Sequence, residues 1–277
     1  MACQHRPTTS YVEEVVQTVD LKSVDTETII IDARPTFLHQ MAHPPGAIPM
    51  QWHDFAQKEA PFLGLLELDQ FFHTRRLARL GIDPTKSILI LGNGEQGAGE
   101  EGRIAWTLQY LGIPNVKISH VDRYRFSSTK EVPPPRVPLP IWKPQISSEI
   151  NLSKAEFQNL LYQPRVASDA PVILDVRNLE EYLGRSGRPL KMDYGAINIP
   201  WTEFISSQGA PDPQIVKKLE DIGINKNRKV VLIDWRGVRS GLACYVLRSF
   251  GFNATNFAGG YDELETFLSL EPTKIVQ

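Results

Sequence analysis

One pattern is written twice along this chain of 277 residues, and the repeat constrains the fold more than any other feature. An apolar run, Ile29-Ile30-Ile31, ends in Asp32-Ala33-Arg34. About 140 residues later, Val172-Ile173-Leu174 ends in Asp175-Val176-Arg177. Short, uninterrupted apolar runs of this kind predict strands buried on both faces, as in a parallel sheet covered by helices. Gly46-Ala47-Ile48-Pro49 follows in the first copy and Gly195-Ala196-Ile197-Asn198-Ile199-Pro200 in the second. Each leads into an aromatic stretch, Trp52 to Phe55 or Trp201 to Phe204. A helix then closes on Leu80-Gly81-Ile82 or Ile222-Gly223-Ile224, the glycine standing where a helix C-cap needs a left-handed residue. A second buried strand (Ile88 to Leu91, or Val230 to Ile233), a loop, and an amphipathic helix ending at Leu111-Gly112 or Phe250-Gly251 complete each copy. Strand, loop, helix, strand, loop, helix is the order of an α/β fold, a central and mainly parallel sheet flanked by helices. Two copies make two domains.

Between the copies lies Val132-Pro133-Pro134-Pro135-Arg136-Val137-Pro138-Leu139-Pro140, and with Pro144 this region holds six of the 21 prolines. Such a stretch favours extended polyproline geometry and acts as a semi-rigid spacer. The expected division is an N-terminal domain over 1–130, a linker over 131–147 and a C-terminal domain over 148–277. Hydrophobic residues at 42% and charged residues at 22% exclude wholesale disorder. Thirty basic against 32 acidic side chains leave a formal charge of −2, without the cationic excess that nucleic-acid binding draws on. The one dense basic stretch, Arg75, Arg76 and Arg79, reads as a solvated helix face.

No apolar run reaches the roughly 18–20 residues of a membrane helix, and the first thirty lack the apolar core of a signal peptide. As written, the expected compartment is the cytoplasm. A periplasmic lipoprotein is the alternative reading, in which Cys3 would be a lipid-anchored residue exposed by signal removal. With Cys244, Cys3 makes only two cysteines, too few for a disulfide framework or a four-thiolate zinc site. None of the six histidines lies after position 120, so the second half cannot build a Cys-His or Ser-His-Asp site of its own.

The Asp-x-Arg strand ends, the Gly-Ala-Ile-Pro segments, the loop Asp234-Trp235-Arg236-Gly237-Val238-Arg239-Ser240-Gly241 and the terminal Phe257-Ala258-Gly259-Gly260-Tyr261 occur in the order found in one family. By these residues the chain resembles the rhodanese superfamily, specifically the tandem two-domain thiosulfate and mercaptopyruvate sulfurtransferases, over nearly its whole length. In active members, the resemblance implies, a Cys three residues before the loop glycine carries a persulfide cradled by backbone N–H groups. No dissociable cofactor is needed. The thiolate is the nucleophile there, stabilised by amides and the positive end of the next helix.

Counting back from Gly237 places Asp234 at the cysteine position. A carboxylate is a poor nucleophile toward sulfane sulfur and cannot hold it as a stable persulfide. Read as a permanent anion, Asp234 would occupy the loop's own amides, with Arg236 and Arg239 near enough in sequence to neutralise it. The candidate anion-binding loop is therefore Asp234, Trp235, Arg236, Gly237, Val238, Arg239 and Ser240, and no catalytic residue is expected in it. Arg185 and Arg188, with Lys191, are candidate anion contacts, because the resemblance places donor-binding cations in this segment. The expected function is a catalytically inactive binding or regulatory module, a pseudoenzyme whose ligand is a small anion or a protein partner. The alternative is a sulfurtransferase of thiosulfate or mercaptopyruvate type using another thiol. Cys244, flanked by Leu242, Ala243, Tyr245, Val246 and Leu247, reads instead as a small buried hydrophobe.

Several patterns point elsewhere and are set aside. Gly92-Asn93-Gly94-Glu95-Gln96-Gly97 matches a dinucleotide fingerprint, with Asp122 further on. Yet it follows the second strand of its unit, and Glu95, Glu100 and Glu101 would repel a pyrophosphate; they read as acids compensating a helix dipole. His39 and His43 have zinc-ligand spacing, but Pro44-Pro45 ends any helix there. An aspartyl phosphotransfer site at Asp234 would want an Asp at position 236, where Arg236 stands. Asp32 with Arg34 and Asp175 with Arg177 read as structural ties at strand ends. Metal ligands are not expected anywhere.

Overall fold

Each copy of the pattern folds into its own four-stranded sheet. The structure, a computed structural model, describes residues 18–127, 129, 136–162, 170–186, 188–190 and 193–268. The first copy contains Val19–Asp20 (β1), Ile29–Asp32 (β2), Thr36–Met41 (α1), Ile48–Pro49 (β3), Gln70–Arg79 (α2), Ile88–Gly92 (β4), Glu100–Tyr110 (α3), Val116–His120 (β5) and Tyr124–Arg125 (β6). The second contains Lys154–Leu161 (α4), Val172–Asp175 (β7), Leu179–Tyr182 (α5), Ile197–Asn198 (β8), Gln214–Asp221 (α6), Val230–Ile233 (β9), Val238–Ser249 (α7), Ala254–Asn256 (β10) and Gly260–Leu268 (α8).

The first sheet runs β3-β2-β4-β5 and the second β8-β7-β9-β10, the same order built from matching strands. All pairings within both sheets are parallel. A separate parallel pair, β1 with β6, flanks the first sheet. The predicted apolar runs are buried as expected: β4 and β9 bury every residue, because helices cover both faces. The register β7 to β9 sets Asp175 opposite Ile233, so the next residue, Asp234, leaves the sheet at its C-terminal edge. Open parallel sheets present their ligand crevices at this edge.

The helices after the central strands differ from the amphipathic expectation. In α7 every residue from Val238 to Leu247 except Arg239 is buried, and in α3 every residue from Glu101 to Leu108 is buried. The reason is tertiary: α3 and α7 pack on each other across the domain boundary, so each is covered by its own sheet and by its counterpart. A Cβ on Gly102 would lie 2.4 Å from the Leu242 side chain, which measures how closely the helices approach.

Two loops complete this exchange. The loop closed by the Ala56–Leu66 bridge belongs to the first domain and packs on the second, while that closed by Ile205–Pro211 does the reverse. Gly64 abuts the carbonyls of Arg236 and Ala258, and Gly209 abuts the backbone of Ser119 and His120. The His120 N–H donates to Gln208 O at 2.8 Å. Within the expected linker, residues 131–135 lie outside the described residues. Beyond them Leu139 N–H donates to Ala78 O at 2.8 Å and Trp142 Nε1 to Ile82 O at 3.2 Å, laying this segment along the first domain.

Candidate functional site

β9 delivers the chain into a tight loop, Asp234 to Gly237, from which α7 starts. Gly237 has a left-handed φ of +71° at the helix N-cap. The outgoing carbonyls are held by the start of α8: Tyr261 N–H donates to Asp234 O at 2.9 Å and Asp262 N–H to Trp235 O at 3.1 Å. Gly260 has to be glycine for this, since it combines a φ of +59° with a Cβ position 2.4 Å from both carbonyl oxygens.

Asp234 is buried and turned into its own loop. Its Oδ2 accepts from the Arg239 N–H at 3.2 Å. Ser240 Oγ lies 2.9 Å from Asp234 Oδ1 and 2.6 Å from Asn256 Oδ1. The Asn256 amide is oriented by its Nδ2, which donates to Gly237 O at 3.2 Å. A hydroxyl carries one proton, so Ser240 can serve only one of its two oxygen neighbours as donor. Every acceptor is satisfied when Asp234 carries a proton on Oδ1, donates it to Ser240, and Ser240 donates to Asn256. The electrostatics agree in direction: burial raises the Asp234 carboxyl above its ordinary value, and the bonds from Ser240 and Arg239 offset this only in part. Burial thus works against the permanent anion read from the sequence, while the charges of Arg239 and Arg103 and the amide of Gly237 work for it.

The neighbouring arginines are engaged elsewhere. Arg239 pairs with Glu181 on α5, Arg236 Nε with Asp262 Oδ2 at 2.7 Å, and Arg188 Nη1 with Asp262 Oδ1 at 2.6 Å. One carboxylate thus serves two half-exposed guanidiniums. Arg185 makes a loose 3.5 Å pair with Glu180 at the surface, and Lys191 lies outside the described residues. Trp235 is gripped between Arg188 and Arg177, whose guanidinium carbons lie 3.9 and 4.8 Å from its ring centroids. Arg177 is itself buried, tied to Asp175 at 2.7 Å, and Asp175 also accepts from the Tyr261 hydroxyl at 3.0 Å. The structure therefore gathers Asp234, Trp235, Arg236, Gly237, Arg239, Ser240 and Arg188 about one loop, with Val238 packed beneath it as buried apolar surface. Arg185 stays at the periphery.

Arg103, which the sequence reading does not single out, is fully buried on α3 of the first domain and crosses to this loop. Its Nη1 donates to Gly237 O at 2.7 Å and its Nη2 to Gly64 O at 2.6 Å. The guanidinium lies 4.6 Å from the Trp106 ring centroid, and burial pushes it down to about 10, still charged at neutral pH. The only signal in the sequence is a lone Arg beside Ile104-Ala105-Trp106. Asp262, Glu181 and Asn256 are likewise missed, because each meets the loop from a distant element.

The matching first-domain loop is also filled by an acid of its own. Glu101 is fully buried, and a Cβ on Gly92 would lie 2.4 Å from its carboxyl carbon. Among the described residues neither Glu101 oxygen makes a well-formed hydrogen bond, and burial, offset only in part by the nearby Glu101 and Gly94 amides, raises the carboxyl to about 7. Glu100 Oε2 accepts from Ala98 N–H at 2.7 Å. Glu101 is thus more than a surface acid compensating the helix dipole: it is buried against the end of β4 at Gly92.

Cys244 is buried in α7 and burial pushes its thiol up to about 12, so it is not a thiolate near neutrality. Cys3 lies outside the described residues. His39 and His43 stack at 3.8 Å, and each spends its Nδ1 internally, on Asp32 Oδ2 at 2.9 Å and His39 O at 2.7 Å. Among the described residues no three His, Cys, Asp or Glu side chains converge as metal ligands. No helix among them is long and apolar enough to cross a membrane.

Residues 153–266, which hold the Asp234 loop, match the family described as the rhodanese-like domain. A thiosulfate sulfurtransferase of Pseudomonas aeruginosa is 25% identical over 248 residues, covering 86% of this chain and 88% of that protein. A crystal structure of a probable thiosulfate sulfurtransferase superposes with a TM-score of 0.61 at 22% identity, covering 88% of this chain and 97% of the other. The 3-mercaptopyruvate sulfotransferase of Escherichia coli superposes with a TM-score of 0.68 at 17% identity, covering 85% and 93%. These two likenesses are likenesses of fold.

Proposed function

Starting from a chain that belongs to the rhodanese superfamily and is sulfurtransferase-like, we propose that it is a binding or regulatory module that does not carry sulfur. The observation that supports this most is the Asp234 carboxyl group, buried and bonded to Arg239 N–H and Ser240 within the loop where relatives would hold a persulfide. A carboxyl group in that place is a poor nucleophile toward sulfur and cannot hold it as a stable persulfide, and it occupies an amide that would otherwise stabilise an incoming anion. The first domain, in this reading, is closed in the same manner by Glu101.

The ligand class follows from what stays accessible. Arg188 and Arg236 share the single carboxylate of Asp262, leaving one positive charge in excess beside the face of Trp235. That supports an anionic ligand, small or borne by a protein, held at the rim of the loop. The domain limits of this module are those expected from the sequence: 1–130, a linker over 131–147, and 148–277.

The competing reading is a sulfurtransferase working through another thiol. Burial of Cys244 and its raised thiol speak against it, since the attacking species is the thiolate. Sulfur transfer from thiosulfate to cyanide, measured for wild type, Asp234→Cys and Cys244→Ser side by side, tests both. Our reading expects no turnover by the wild type. Wild-type turnover abolished by Cys244→Ser would replace it with the competing one.

A further inference from the structure

The arginine stretch of α2 is solvated, and exposed apolar side chains stand beside it. Leu68, Phe71 and Phe72 are 83%, 51% and 43% exposed at its start, and Arg75 and Arg79 stand exposed on the turns that follow. Phe72, Arg75, Arg76, Arg79 and Leu80, with Pro49 of edge strand β3, line a concavity of about 600 Å³. Apolar Pro49, Phe72 and Leu80 share its lining with cationic Arg75, Arg76 and Arg79. Two of the cations have partners of their own: Arg75 reaches Asp69 at 2.8 Å and Arg76 reaches Asp54 at 2.7 Å. The Arg75–Asp69 pair is half-exposed on both sides, so little energy holds it together. Arg79 has no acidic partner among the described residues.

We propose that this concavity docks a segment of a partner protein that presents an apolar or aromatic side chain flanked by carboxylates. The apolar side chain would seat between Pro49, Phe72 and Leu80, and the carboxylates would meet Arg75 and Arg79. A nucleic-acid backbone asks for cations along an extended track, which three arginines on one helix of ten residues do not supply. A bilayer is met by an apolar face standing proud along a helix, whereas Phe72 and Leu80 wall a hollow and the exposed Leu68 and Phe71 stand only at the start of the helix. Charged groups in such a lining give specificity and speed of encounter, and the buried anchor gives residence. This proposal is independent of the reading of Asp234.

The test is fluorescence anisotropy with a labelled peptide, Asp-Glu-Phe-Leu-Glu-Asp, and its Asn/Gln counterpart as the neutral control, on the full chain at low and physiological salt. Saturable binding of the acidic peptide is expected. It should weaken about tenfold or more for the neutral peptide, for Arg79→Glu and for Phe72→Ser, with thermal midpoints unchanged and Asp234→Asn without effect. Arg79→Glu alters an exposed side chain and keeps the test valid if Phe72→Ser does not fold. Absence of saturable binding overturns the proposal, and so does binding indifferent to Phe72→Ser in a folded variant. Capture of the protein by phosphatidylcholine vesicles containing phosphatidylserine, dependent on the same residues and without peptide binding, overturns it in favour of a lipid surface.

Discussion

The guanidinium of Arg103, on a helix of the first domain, donates to the carbonyl of Gly237 in the second domain's loop at 2.7 Å. With its other arm on Gly64 O, it fastens loop, helix and clasp at one point. Arg103→Leu would leave the Gly64 carbonyl buried without this donor, while Gly237 O keeps the Gly241 N–H and Asn256 Nδ2. At about 1–3 kcal/mol for an unsatisfied group, the expected loss is about 2 kcal/mol in urea unfolding. Arg103→Lys cannot span both acceptors and should recover only part of it. A loss below about 0.5 kcal/mol, the range of ordinary surface substitutions, would show that the crossing contributes nothing.

Asp234 gives a sharper contrast. An asparagine there can donate to Ser240 and accept from Arg239 N–H, the same sense of bonding as the protonated acid. Asp234→Asn should therefore hold stability within about 0.5 kcal/mol at neutral pH, while Asp234→Ala should lose about 2 kcal/mol by orphaning the loop groups. If Asp234 were ionised and bound as an anion, Asp234→Asn would cost nearly as much as Asp234→Ala.

Glu101 predicts a pH dependence. Burial raises its carboxyl from the ordinary 4.5 to about 7 in the folded chain, so between these values the folded state binds more protons than the unfolded state. Its stabilisation is fully present below 4.5, falls as pH rises, and is lost above about 7. Carboxylates of the opposite kind, such as Asp32, lowered because Arg34 and His39 outweigh burial, lose stability in the other direction, so the total curve mixes signs. The difference between wild type and Glu101→Gln isolates the effect, and it should reach about 3 kcal/mol at most across that window. A flat difference curve would mean that water or a bond relieves the buried acid.

Gly64 reports the clasp between domains. A Cβ there would lie 2.3 Å from Ala258 O and 2.4 Å from Arg236 O, backbone atoms that cannot swing aside. Gly64→Ala should cost about 1–3 kcal/mol, a drop of several degrees in a thermal melt. Gly223→Ala is the control, with nothing within 4 Å and only a left-handed φ to strain.

Much of this arrangement is legible in the sequence. Strand runs such as 29–32 and 172–175 declare themselves because both faces are buried, and the glycines at 81 and 223 mark helix ends by backbone conformation alone. Position 234 is found by counting from Gly237. Other features depend on surroundings that no local pattern encodes. The helices read as amphipathic are buried nearly all round because a second helix covers the face turned from the sheet. Arg239 and Arg236 look like partners of Asp234 by spacing, yet Glu181 and Asp262 reach them from α5 and α8 and take them. The role of Arg103 is invisible until the domains are brought together, and that of Glu101 until α3 folds against the end of β4.

The central claim, that the second-domain loop is occupied by its own acid and carries no sulfur, is tested most directly by intact-protein mass spectrometry after incubation with thiosulfate. Wild type, Cys244→Ser and Asp234→Cys should be compared before and after a reducing wash. The account predicts an unchanged wild-type mass, with any added sulfur confined to Asp234→Cys. A wild-type gain of one sulfur atom, removed by reductant and absent from Cys244→Ser, would contradict it and place the chemistry on α7.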